Sequence, residues 1–184
     1  MTGRLFAIVG PSGAGKDRLI AGLIAARPEI HRARRTITRP PAESEDFESL
    51  SAAEFAALRG RGGFALSWLA HGLGYGLRAA ELAPLAAGRD VIFNGSRAAL
   101  PECLAAFPQL RVIEITAAPA VLQARLAGRG REDGAEIARR LDRAALALPP
   151  GIGAVRIVND GPPEAGIAAL IAALQPASAC AASR

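Results

Sequence analysis

Near its start the chain reads Leu5-Phe6-Ala7-Ile8-Val9, then Gly10-Pro11-Ser12-Gly13-Ala14-Gly15-Lys16-Asp17. Five consecutive apolar residues ending at a glycine predict a short strand buried on both faces. Leu19, Ile20, Leu23 and Ile24 recur at helical spacing, and Pro28 closes that helix. Between the two lies Gly, four residues, Gly, Lys. Glycines at this spacing let backbone N–H groups converge on phosphate oxygens. The start of the helix adds its partial positive charge. Strand, Gly-rich turn and helix in that order commit the chain to an α/β fold with a phosphate-binding loop.

Lysine usage sharpens this assignment. The 184 residues include 22 Lys and Arg, and Lys16 is the sole Lys. A compact ammonium stands where it would reach the β- and γ-phosphates of a nucleotide such as ATP. Pro11, Ser12, Gly13, Ala14 and Gly15 supply the cradle from Gly10 onward. Asp17 occupies the position after the Lys, where a P-loop carries Ser or Thr. A carboxylate there can bind Mg²⁺ directly or through water, because Mg²⁺ favours hard oxygen ligands. Its charge is also favoured at a helix start. The alternative role for Asp17 is simple capping.

Composition narrows the class further. Apolar residues are 51% and charged residues 21%, the profile of a folded globular chain. This length predicts one domain over residues 1–175, with a small insertion, and a frayed tail over 176–184. No apolar run nears the ~20 residues of a membrane span, and no secretory leader is legible. Cys103 and Cys180 form no framework or metal pattern, so a cytoplasmic setting is expected. The net charge of +5 invites a nucleic-acid partner, but aromatics are only 4%, too few for base stacking. Neither nucleic acid nor membrane is expected as a partner, and oligomeric state is not legible.

Further along, residues 31–38 predict a strand leading out of the core. Residues 39–77 differ in character: they begin with Pro40-Pro41, are acidic, and hold the only Trp and Tyr. They predict an inserted subdomain. Residues 90–94, 110–116 and 154–158 predict strands; 98–107, 119–129, 135–148 and 163–174 predict helices. Strands alternating with helices imply a parallel sheet covered on both faces. Arg35 and Arg39 are four apart, and along one strand they would face the same side and grip phosphates bidentately. Tyr75 could add its hydroxyl. Arg125, Arg129, Arg131 and Arg140 surround Gly128, Gly130 and Gly134, the makings of an Arg-rich lid over about 128–135. Cations there would neutralise charge during phosphoryl transfer, with Arg129 and Arg140 beside Lys16 as catalytic candidates.

With these residues on the page, the chain resembles the guanylate kinase-like branch of P-loop kinases. The likeness runs from Gly10 to about Ala173. Arg35-Thr36-Ile37-Thr38-Arg39-Pro40 resembles the segment opening that branch's acceptor-binding subdomain. Ser51-Ala52-Ala53-Glu54-Phe55 resembles the helix start that follows. Val158-Asn159-Asp160 resembles the edge of the adenine site, which implies a nucleotide contact for Asn159. Within the branch, Gly15-Lys16-Asp17, the block from Phe64 through Trp68 to Tyr75-Gly76, and Asn94-Gly95-Ser96-Arg97 are similar to the ribose 1,5-bisphosphate phosphokinase family. Residues 41–48 depart from that family's pattern.

The resemblance implies an enzyme that passes the γ-phosphoryl of ATP, with Mg²⁺, to ribose 1,5-bisphosphate, making 5-phospho-α-D-ribose 1-diphosphate (PRPP) in phosphonate breakdown. The alternative is a guanylate or other nucleoside monophosphate kinase. Guanylate kinases grip the guanine edge with two carboxylates, and the matching places here hold Ser67 and Ser96. Two short hydroxyls cannot replace two carboxylates as acceptors of guanine N–H groups. A phosphorylated sugar is therefore the expected partner, held by Arg35, Arg39, Tyr75, Asn94, Ser96 and Arg97.

Overall fold

Strand β1 (Leu5–Val9) is buried along its whole length, and the fold is organised around it. The computed structural model describes residues 2–41, 46–70, 72–128 and 147–175. After β1 come α1 (Lys16–Ala26), β2 (His31–Arg32), β3 (Arg35–Ile37), β4 (Phe47–Ser49) and α2 (Ala52–Gly60). Next are β5 (Phe64–Ala70), β6 (Leu73–Arg78), α3 (Ala79–Leu82), β7 (Val91–Asn94) and α4 (Leu100–Ala106). The chain continues with β8 (Arg111–Thr116), α5 (Pro119–Ala127), β9 (Val155–Val158) and a last helix, α6 (Pro163–Ala173).

The main sheet has the order β2-β7-β1-β8-β9, and every adjacent pair is parallel. Side chains of β1 alternate between two cores. Phe6 and Ile8 pack with Leu19, Ile20 and Leu23 of α1 and Leu170 of α6. Leu5, Ala7 and Val9 pack with Phe93, with Leu100 and Cys103 of α4, and with Trp68 and Leu77. Two glycines bring α1 against α6. A Cβ on Gly22 would lie 2.2 Å from Ile167 Cδ1, and one on Gly166 would lie 2.8 Å from Leu19 Cδ2. Burial pushes the Cys103 thiol up to about 11, so this thiol stays protonated at neutral pH and acts as a small apolar filler.

A second sheet has the order β4-β3-β6-β5. Its β3–β4 pair is parallel and its other pairs are antiparallel. The single strand expected over 31–38 is two strands in two sheets. β2 pairs with β7, and β3 pairs with β6. The backbone leaves the first sheet after Ala33, whose N–H still donates to Ile92 O at 2.9 Å. A Ser51–Glu54 capping box starts α2. Trp68, 4% exposed, joins the sheets: it stacks on Tyr75 at 5.7 Å and meets Phe93 at 6.2 Å. Residues 135–146 of the expected helix over 135–148, most of the lid over 128–135, and the tail over 176–184 lie outside the described residues; residues 147 and 148 are not helical.

Carboxylates in or beside both sheets are locked by arginine. Glu48 accepts from Arg78 Nε at 2.7 Å and from Thr36 Oγ1 at 2.6 Å. The Arg78 bond holds its carboxyl below the ordinary value of 4.5, against the opposing effect of burial, with Thr36 adding to the lowering. At Asp90 burial pushes the other way and is the largest single effect, yet the bonds from Arg4 together hold the carboxyl low. A carboxylate depressed in the folded state contributes stability above its unfolded value and loses it as pH falls through the folded one. The melting temperature should therefore decline as pH falls below about 4.5. Glu48→Gln should lower it at pH 7 and flatten that acid limb, as read by thermal melts from pH 7 to 3.

Candidate active site

The loop from Gly10 to Gly15 turns off the carboxyl end of β1 and runs over the neighbouring strand. Gly10 has φ +140°, and a Cβ on it would lie 2.0 Å from Ile115 O, so only glycine fits. Gly15 has φ 90° and ψ 14° and caps α1 without a side-chain hydrogen bond. The first N–H groups of that helix are thus left for an anion. Lys16 Nζ folds over the loop and donates to Gly10 O and Pro11 O, each at 2.8 Å. An ammonium so placed sits across the cradle formed by Pro11, Ser12, Gly13 and Ala14.

Asn159 fastens the loop from the far side. It is 5% exposed. Its Nδ2 donates to Ala14 O at 2.8 Å, and its backbone N–H donates to Thr116 O at 2.8 Å. Asp160 Oδ1 accepts from Ala118 N at 2.7 Å, joining the end of β9 to the start of α5. Asn159 was expected at the adenine edge; here its amide is bonded to the loop itself, while the residue still lines the same cleft. That cleft, about 490 Å³, is also lined by Ser12, Lys16, Asp17 and Arg125.

Arg125 supplies a test of fit for the nucleotide. Its Nη1 is buried and has no hydrogen-bond partner among the described residues. It lies 3.9 Å from where a Cβ on Gly15 would sit. A buried guanidinium nitrogen without an acceptor is costly, and a phosphate oxygen in the loop is the acceptor that suits it. Mg²⁺ passes a similar test. Among the described residues no group of three or more His, Cys, Asp or Glu could hold a metal alone. One carboxylate, Asp17, beside a phosphate cradle matches an ion that keeps its waters and shares the substrate's phosphates.

Among the described residues two side chains approach the Asp17 carboxylate as polar partners. Asn94 Nδ2 donates to its Oδ1 at 2.8 Å, and Arg32 Nη2 stands 4.0 Å from the same oxygen. Asn94, at the end of β7 beside β1, thus has its amide on Asp17. Sequence reasoning did not single out Arg32, since its strand is only two residues long.

Residues expected at the acceptor lie mainly on the second sheet and on the turn after β7. Arg35 is on β3 opposite Leu77. Arg39 lies beyond the strand, which ends at Ile37, so strand parity does not relate Arg39 to Arg35. Its guanidinium sits 4.7 Å from the Phe47 ring centroid, and its carbonyl accepts from Ser49 Oγ at 2.6 Å. Tyr75 stacks on Trp68. Ser96 and Arg97 begin the short 3₁₀ turn after β7. Burial lowers the Arg97 pKa, and the nearby Glu114 carboxylate opposes that shift. Glu114, 2% exposed on β8, accepts from Arg156 Nε at 2.9 Å. It escaped the sequence reading, though an acid amid Val112-Ile113-Glu114-Ile115 is a legible break in an apolar strand. Arg129, Arg131 and Arg140 lie outside the described residues.

No family model matches the chain. Individual relatives do. It is 49% identical over 176 residues to the ribose 1,5-bisphosphate phosphokinase PhnN of a Ruegeria species, covering 94% of this chain and 92% of that protein. It is 47% identical to the PhnN of Acidiphilium cryptum, covering 94% and 93%. It is also 49% identical to part of a bifunctional ribose 1,5-bisphosphokinase-thymidine phosphorylase of Azorhizobium caulinodans, of which it spans 26% of the length. Among solved structures, a guanylate kinase from Anaplasma phagocytophilum superposes with a TM-score of 0.64 at 16% identity, covering 95% of this chain and 88% of that one. That likeness carries the fold. Identity approaching one half across more than nine tenths of each PhnN relative carries the rest: the chain belongs to the PhnN family of ribose 1,5-bisphosphate phosphokinases, built on the guanylate kinase fold.

Proposed function

We propose that this chain transfers the γ-phosphoryl group of ATP to ribose 1,5-bisphosphate, giving ADP and PRPP, as a cytoplasmic step in phosphonate breakdown. The observation that carries the proposal is the 49% identity to a PhnN relative covered over 92% of its length, on a chain whose Gly-rich loop keeps its lysine contacts. An oxygen of the acceptor's 1-phosphate forms the new bond to Pγ. The bond from Pγ to the ADP oxygen breaks, and its electron pair leaves with ADP. The attacking oxygen is already anionic at neutral pH, so no general base is required. Catalysis reduces to positioning and charge neutralisation.

Lys16 and the backbone from Gly10 to Gly15 hold the triphosphate. Arg125 pairs with a phosphate oxygen. Mg²⁺, when bound, offsets charge on the β- and γ-phosphates, and Asp17 is the side chain that would hold it. Arg35, Arg39, Tyr75, Ser96 and Arg97 orient the sugar bisphosphate, while Asn94, expected among them, has its Nδ2 on Asp17. Arg129 and Arg140 close from the lid. Ser67 and Ser96, standing where guanylate kinases carry carboxylates, favour an acceptor without a base.

The deciding measurement is ADP release from MgATP with ribose 1,5-bisphosphate and GMP compared side by side. Turnover is expected with the sugar and not with GMP; the reverse result would overturn the proposal. Lys16→Ala should abolish turnover while leaving the melting temperature within a few degrees. Arg125→Ala should lower kcat by about 10²-fold or more, the range for removing one preorganised charge-stabilising donor. A loss confined to KM would remove Arg125 from the transition state and leave it a binding role.

A further inference from the structure

We propose that the carboxylate serving the metal–nucleotide has exchanged places with its neutral partner. Asp17 on α1 carries the charge that P-loop enzymes place at a neighbouring strand, and Asn94 at the end of β7 is the residue that positions it. The inference rests on the proposed nucleotide site and deepens it.

In the usual arrangement a Ser or Thr hydroxyl follows the loop lysine and an Asp stands apart from it, both serving Mg²⁺. Here Asp17 follows Lys16, and no carboxylate ends β7. Register places Asn94 opposite Ile8, two residues before Gly10. Asn94 is 9% exposed, so its amide requires a partner. It has one: Nδ2 donates to Asp17 Oδ1 at 2.8 Å.

The pair therefore keeps one negative charge and one hydrogen bond, with both reversed between the elements. Helix and strand have traded the anion, and the donor now sits on the strand. A neutral amide orients the carboxylate without neutralising it. Arg32 Nη2, at 4.0 Å from the same Oδ1, is the charged group paired with it among the described residues. Among the described residues no hydrogen bond falls on Oδ2, and Asp17 lines the cleft. A ligand oxygen fixed by its twin is the arrangement a metal site needs.

Charge swapping tests this. Asp17→Ser leaves a hydroxyl facing a carboxamide, with no anion. Asn94→Asp sets two carboxylates within hydrogen-bonding distance, where they repel. The double variant D17S/N94D restores one anion and one hydroxyl-to-carboxylate bond in the opposite sense. The readout is ATP affinity with MgCl₂ divided by ATP affinity with EDTA, measured calorimetrically on all four proteins, with thermal melts alongside. Wild type should gain about tenfold or more from Mg²⁺, each single variant should fall to near onefold, and the double should return to within about threefold of wild type.

Singles whose losses simply add in the double variant overturn the inference. So does an Asn94→Asp protein with the full wild-type ratio. If Asn94→Asp alone does not fold, the comparison of Asp17→Ser with the double variant decides, because a purely structural Asn94 predicts no gain. A wild type that responds to Mg²⁺ yet ignores ribose 1,5-bisphosphate overturns the acceptor assignment and leaves this inference standing. A wild type indifferent to Mg²⁺ overturns the inference itself.

Discussion

The structure depends on how closely the chain passes its own backbone at Gly10. The α-carbon of Gly10 comes so near Ile115 O that a Cβ would stand 2.0 Å from it. That approach lets the chain leave a wholly buried strand and turn at once across the end of the next. The loop then lies along the carboxyl ends of parallel strands, where open α/β sheets bind ligands. Asn159 seals the arrangement by bonding to Ala14 O. The phosphate cradle is thus held between two strands and two helices, and little of its shape has to be created when a nucleotide arrives.

Arginine accounts for most of the chain's basic character, and its uses in the structure differ. Arg4, Arg78 and Arg156 pair with acids inside or at the edge of the sheets. A planar fork of donors suits such bonds better than an ammonium. These pairs consume charge that would otherwise suggest a polyanion-binding surface. Other arginines stand nearer the loop and the second sheet: Arg125 lines the cleft, and the Arg39 guanidinium lies over the Phe47 ring. The single Lys is kept for the loop, where its ammonium reaches two carbonyls at once.

Legibility in the sequence followed the range of the interactions. The Gly-rich loop and its flanking elements were legible because spacing and periodicity are local properties. The start of α2 was legible through the family resemblance of Ser51-Ala52-Ala53-Glu54-Phe55, and the structure adds that Ser51 and Glu54 form a capping box there. The division of residues 31–38 between two sheets was not, since it depends on β6 offering a partner from some forty residues away. The same holds for Arg39: parity predicts a face only while the strand lasts, and β3 stops at Ile37. Asp17 was conspicuous as a departure from a motif. Its bond to Asn94 spans 77 positions, so no local pattern could join them. Glu114 shows the opposite failure, a visible anomaly in an apolar strand that drew no inference because its partner, Arg156, lies on another element.

The stacking of Trp68 on Tyr75 has an optical consequence. These are the only Trp and the only Tyr in the chain. Their rings are 5.7 Å apart and nearly parallel, with an interplanar angle of 5°. Trp68 is buried where the two sheets meet, against Phe93, and Tyr75 belongs to the expected acceptor surface. Intrinsic fluorescence therefore comes from one indole with one phenol against its face. A change in how the sheets meet, or in the setting of the Tyr75 ring, alters the emission of a single chromophore pair. The protein carries a built-in reporter at the seam between its two sheets, and its signal needs no deconvolution.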